Sequence, residues 1–143
     1  MQQESWERVR DVIMHTLKLV KKGQIEKAFV ALDTAIAEAA DERQGDGALL
    51  LLRHAAALAM GHGKRKREIQ YTKEALPYAK DYTKDYGFAA YNLSQLLLKD
   101  GQVDLAQRYA LEAYELSCSS ENEADRDLTT AIVKQWPSIA KNR

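Results

Sequence analysis

The stretch LLLKDGQVDLAQRYALEAYEL, residues 96–116, decides the fold class of this chain. It holds the end of one amphipathic helix, then Gly101, then the start of a second helix over 102–117. In the second helix the apolar side chains recur every three or four residues, at Val103, Ala106, Tyr109, Ala110, Ala113 and Leu116. A glycine between two helices can close the first in a left-handed conformation. The stretch therefore predicts a helix–turn–helix unit.

The same unit recurs along the chain. Its central glycines are Gly23, Gly63 and Gly101, which lie 40 and then 38 residues apart. A small residue lies seven positions before each glycine and an alanine twelve positions after it: Thr16, Ala56 and Ser94, then Ala35, Ala75 and Ala113. Small side chains at fixed places let antiparallel helices approach closely and let the next pair stack on them. This recurrence is typical of an α-solenoid.

The remaining pattern predicts an all-α chain of seven helices, without a strand. The expected helices cover residues 3–22, 24–40, 46–61, 64–83, 86–100, 102–117 and 121–141. Ser120 is the expected N-cap of the last helix, with Glu123 three residues later. Pro77 and Pro137 should each kink their helix or end it early. We interpret Tyr71, Tyr78, Tyr82 and Tyr86 as part of a core-facing stripe, with a binding surface as the alternative.

The units resemble the tetratricopeptide repeat family. The third unit matches best, with Leu93, Ser94, Leu97, Ala106 and Ala113 at motif positions. The first unit keeps Ala28, Leu32 and Ala35, whereas the second departs from the pattern at Glu68 and Thr72, and the units are longer than usual for the family. The resemblance implies one domain, 1–143. It would be a right-handed α-solenoid of about three antiparallel helix pairs over 3–120, followed by a C-terminal capping helix over 121–143.

The resemblance also implies a function: a non-catalytic adaptor that binds a peptide or helix of another protein in a concave groove. The expected groove residues lie on the first helix of each pair: Arg10, Met14 and Leu17; Arg53, His54, Ala57 and Met60; Phe88, Tyr91, Asn92 and Gln95. Their chemistry suits an apolar or amphipathic segment with an acid facing Arg10 or Arg53. Two alternatives remain open. The C-terminal helix, through Leu128, Ile132 and Trp136, or a second copy in a structural homodimer could cover the groove.

The amino-acid composition limits the classes of partner that we expect this protein to bind. The 143 residues contain 21 basic and 21 acidic side chains, so the net charge offers no attraction to nucleic acid. The run Lys64, Arg65, Lys66 and Arg67 is the exception, and binding of nucleic acid or a phosphorylated ligand there is the alternative function. One cysteine suits a reducing compartment, and no apolar run is long enough to span a membrane. We therefore expect a cytoplasmic protein without a membrane or nucleic-acid partner.

The sequence offers little for catalysis. The three histidines, His15, His54 and His62, include no pair at the four-residue spacing of a helical zinc motif. Cys118 has no histidine near it in sequence, and the stretch GHGKRK, residues 61–66, lacks the spacing of a phosphate-binding loop. We expect no metal, no cofactor and no enzymatic activity.

Overall fold

A computed structural model describes residues 3–141, which form eight α-helices and no strand. The helices are α1 (Gln3–Lys21), α2 (Ile25–Asp41), α3 (Gly45–Gly61), α4 (Arg65–Tyr82), α5 (Tyr86–Lys99), α6 (Val103–Ser117), α7 (Glu123–Gln135) and α8 (Pro137–Lys141). The predicted all-α class is confirmed, and the packing of neighbouring helices is compatible with a helical repeat. The ends of the predicted domain, residues 1, 2, 142 and 143, lie outside the described residues.

Four of the connections between helices are built in the same way. The residue at the centre of each has a positive φ: Gly23 at 75°, Arg43 at 57°, Gly63 at 67° and Gly101 at 80°. The next residue donates its backbone N–H to the carbonyl five positions earlier, as Gln24 does to Leu19 over 2.8 Å and Gln102 to Leu97 over 2.9 Å. This is the Schellman motif. The predicted left-handed closure at Gly23 and Gly101 is confirmed, and Arg43 takes the same place without being a glycine.

Pro137 ends its helix as predicted, whereas Pro77 does not, and the last N-cap is a different residue from the predicted one. Pro77 lies inside α4, which continues to Tyr82 instead of ending early. Pro137 ends α7 at Gln135 and begins α8, so the seventh predicted helix is two helices. Proline suits a first helical position because the N–H that it lacks would have no partner there. The N-cap of α7 is Asn122 rather than Ser120, since the Asn122 side chain accepts from the N–H groups of Ala124 and Asp125.

The chain divides into two compact units, Met1–Tyr82 and Thr83–Arg143. In the first, α1 packs on α2, α2 on α3 and α3 on α4, and α1 also contacts α3. Its core includes Phe29, Leu32, Leu51 and Leu52, each at most 2% exposed. In the second, α5 packs on α6, α6 on α7 and α7 on α8, and Leu93, Leu97 and Ile132 are fully buried. The single domain over 1–143 stays a prediction.

No helix within residues 3–141 has the length and apolar character that crossing a bilayer requires.

Candidate interaction surface

Helices α1 and α3 of the first unit lie side by side. The Thr16 hydroxyl oxygen on α1 is 3.1 Å from the Nε2 atom of His54 on α3. Thr16 is fully buried and donates its own hydroxyl hydrogen to the Ile13 carbonyl oxygen over 2.8 Å. A Cβ at Gly47 of α3 would be only 3.4 Å from the Val9 side chain on α1. The two helices are close because small residues occupy their contact, as the repeat pattern predicts for Thr16.

The outward side of this helix pair exposes large apolar side chains. Met14 is 51% exposed, Leu17 47% and Met60 63%. Trp6, at 44%, lies four residues before Arg10 and so continues the α1 stripe by one turn. We define the α1/α3 face as Trp6, Arg10, Met14, Leu17, Arg53, His54, Ala57 and Met60. The resemblance did not include Trp6, although its spacing from Arg10 and Leu17 is a signal that could have found it.

The charge of the α1/α3 face comes from its arginines. Arg10 and Arg53 are exposed, while His54 is half-buried between α1 and α3. Burial lowers the pKa of the His54 imidazole below its usual value of 6.5. The ring is therefore mainly neutral at pH 7. The positive charge of the face comes from Arg10, whose guanidinium lies 3.9 Å from the Asp11 carboxylate, and from Arg53, which also has interactions within the protein.

The expected groove residues of the second unit have different neighbours. Tyr91 on α5 donates its hydroxyl hydrogen to Gln135 of α7 over 3.3 Å, and the side-chain amides of Gln95 and Gln135 bond to each other in both directions. Tyr91 also packs against the cluster that contains Leu128 and Ile132. The end of α7 thus covers part of this stretch, as the alternative interpretation of the sequence expected. Phe88, at 37% exposure, and Asn92 stay at the surface.

The basic run Lys64–Arg67 lies at the start of α4. Lys64 precedes the helix, and its carbonyl oxygen accepts the Glu68 N–H over 3.0 Å. Arg67 turns towards α2, where its guanidinium pairs with Glu26 over 2.8 Å and lies 4.2 Å from the centre of the Phe29 ring. Arg65 and Lys66 are exposed and also have interactions within the protein. Of the four cations, Arg67 is therefore held by the neighbouring helix.

Neither a protein-family model, nor a curated protein, nor a solved structure matches this chain. Among residues 3–141, no three histidine, cysteine, aspartate or glutamate side chains are grouped so that they could hold a metal ion. Cys118 is exposed at the end of α6.

Proposed function

We propose that the chain is a non-catalytic protein-interaction module of the tetratricopeptide-repeat type, and that its α1/α3 face binds an amphipathic segment of a partner protein. The observation that carries the proposal is the exposure of Trp6, Met14, Leu17 and Met60 on two helices that contact each other. Burying a side chain of this size is worth about 1.5–3 kcal/mol, so a segment that covers several of them can offset the cost of association.

The repeat type is supported by the spacing of side-chain contacts between helix pairs. Thr16 contacts His54, and Tyr71 donates to Asp33; both pairs are 38 residues apart. Gln95 and Gln135 are 40 residues apart. These separations match the spacing of 38 to 40 residues between the turn glycines. Successive helix pairs of a solenoid make equivalent contacts at the repeat period.

The side chains of the α1/α3 face indicate what kind of partner segment it would bind. Apolar side chains at three- and four-residue spacing on α1 suit the apolar stripe of another helix. Methionine adapts its shape to an irregular partner, and arginine is enriched where binding energy is concentrated. Arg10 and Arg53 favour an acidic side chain next to that stripe. The expected partner segment is therefore apolar on one side, with an acid beside the apolar stripe.

The test uses two variants that carry the same chemical change. Leu17→Glu/Met60→Glu places carboxylates on the α1/α3 face. Val30→Glu/Val103→Glu does the same at apolar side chains that are 64% and 49% exposed elsewhere. We expect a partner captured by the wild type to be retained by the second variant and weakened at least about tenfold by the first. Its binding segment, made as a synthetic peptide, should show the same preference.

Light scattering on the same samples separates a partner from self-association. The proposal expects the isolated wild type and the Leu17→Glu/Met60→Glu variant to have the same mass. A wild-type dimer that this variant dissociates would show that the α1/α3 face binds a second copy. Equal capture by both variants would contradict the proposal.

A further inference from the structure

A second surface of the first unit has a different chemistry. A cleft of about 850 Å³ lies between α2 and α4, and none of the residues of the α1/α3 face lines it. The α4 wall is a single stripe of side chains at helical spacing, which includes Tyr71, Glu74, Tyr78 and Asp81. At one end of the cleft the two helices touch through Phe29 and Tyr71, whose ring centres are 6.1 Å apart.

Beyond that contact the space between the two helices is unfilled because the side chains that line it are small. On α2 the lining residues after Ile36 are Ala37 and Ala40, and on α4 the wall includes Pro77. Alanine and proline leave space that larger side chains would fill. Ile36 and Leu52 add an apolar lining to this space. An incoming side chain would therefore meet an apolar wall.

The rim of the cleft is acidic. Asp33, Glu74 and Asp81 line it, and the arginine that lines the same cleft, Arg67, pairs with Glu26 on α2. Asp33 accepts the Tyr71 hydroxyl hydrogen over 2.7 Å, and Glu74 accepts from the Gln70 amide over 2.6 Å. These donors are neutral groups, so neither hydrogen bond brings a positive charge to the rim.

The one cation in the lining does not offset this charge. Arg67 lies beside the cleft, but its guanidinium is paired with Glu26 and rests on the Phe29 ring. Tyr78 adds a half-buried aromatic ring, whose face attracts cations, whereas the Tyr71 ring is buried against Phe29. The lining thus combines an apolar wall, a tyrosine ring and three carboxylates, with Arg67 engaged by α2.

We propose that the α2/α4 cleft docks a basic segment of a partner protein, one that carries arginine or lysine beside apolar side chains. The apolar side chains fill the space beside Ala37 and Ala40, and the cations reach Asp33, Glu74 and Asp81. The charge complementarity selects this occupant over an acidic or purely apolar one. The cleft is distinct from the α1/α3 face, whose cations favour an acidic partner, so the two proposals can fail separately.

The test uses a short synthetic peptide of alternating arginine and leucine, with a glutamate–leucine peptide of the same length as the negative probe. Amide chemical shifts of the wild-type protein should change within residues 33–40 and 67–81 when the arginine peptide is added. The cleft variant Glu74→Gln/Asp81→Asn should weaken binding at least about tenfold. The control Glu121→Gln/Asp127→Asn alters two exposed acids outside the cleft and should stay within about twofold of the wild type.

A further variant tests the contribution of the empty space in the cleft separately from that of its carboxylates. Ala37→Leu fills the cleft without altering any carboxylate, and we expect it to weaken the arginine peptide as well. Affinity should fall as salt is added, because the attraction is electrostatic. Equal losses in the cleft and control variants, shift changes spread outside α2 and α4, or equal binding of the glutamate peptide would each overturn the proposal.

Discussion

Ser94 on α5 donates its hydroxyl hydrogen to the backbone carbonyl oxygen of Ala106 on α6 over 2.7 Å, and both residues are fully buried. Ser94 is the small residue seven positions before Gly101, and Ala106 is five positions after it. The bond therefore joins the two helices on either side of one turn. The full burial of Ser94 explains why a small residue is needed here, and the bond gives serine an advantage over alanine or glycine.

We expect Ser94→Ala to lower the free energy of unfolding by about 1 kcal/mol, the net value of one hydrogen bond. Ser94→Leu should cost more, because its side chain must enter the contact between α5 and α6, where overpacking costs about 1–3 kcal/mol. Urea unfolding of the two variants and the wild type measures both effects. A Ser94→Leu variant as stable as the wild type would contradict the close packing.

The turns predict effects of opposite sign. Arg43 has a φ of 57°, where a non-glycine residue is strained by about 1–2 kcal/mol, so we expect Arg43→Gly to raise stability by up to about 1 kcal/mol. Gly63 has a φ of 67° and open space around an added Cβ, so Gly63→Ala should lower stability by about 1 kcal/mol through the backbone alone. Thermal unfolding of both variants checks this. Changes of the same sign would show that the two turns are not equivalent.

The half-buried ring of His54 makes the free energy of unfolding depend on pH. Its pKa is lowered in the folded state, so the unfolded chain binds the proton more readily. The stabilisation is complete above the unfolded pKa of about 6.5 and is lost as the pH falls from there to the lower folded pKa. We expect His54→Gln to reduce the change in unfolding free energy between about pH 7.5 and pH 5.5. A variant with the wild-type pH slope would contradict this role.

The start of α7 can be tested with two single substitutions. Asn122→Ala removes the side chain that caps the N–H groups of Ala124 and Asp125, and should cost about 0.5–2 kcal/mol. Ser120→Ala removes only an acceptor for the Asn122 N–H, at 3.1 Å in an exposed turn, and should cost less. Hydrogen exchange of the first α7 amides measures both. Faster exchange in Ser120→Ala than in Asn122→Ala would show that Ser120 is the cap.

Much of the fold could be predicted because the repeat spacing encodes contacts. Ala28, Ala35, Ala106 and Ala113 are all buried at the helix contacts that the pattern indicates. The turn between α2 and α3 was harder to place, because Arg43 rather than a glycine takes the left-handed position. The nearest glycine, Gly45, is the first residue of α3. A glycine is needed at position 45 because an added Cβ would clash with the ring of Tyr82 on α4.

The surfaces were predicted in part. The resemblance to the repeat family implied the positions of the stripe on α1 and α3, and helical spacing adds Trp6 to it. The contacts of Tyr91 and Gln95 with Gln135 depend on where α7 packs, and no local pattern fixes that. The α2/α4 cleft was not predicted at all. It arises where Ala37 and Ala40 face α4, and such a gap is visible only once the two helices are placed together.

Site-specific photo-crosslinking tests most directly whether the α1/α3 face binds another protein. A photoreactive amino acid at position 60 lies on the face, and one at position 30 lies on an exposed apolar site of α2. We expect position 60 to crosslink to an apolar segment with a neighbouring acid in a different protein, and position 30 to give no such product. The same product from both positions, or crosslinks from position 60 only to a second copy of the chain, would contradict the claim.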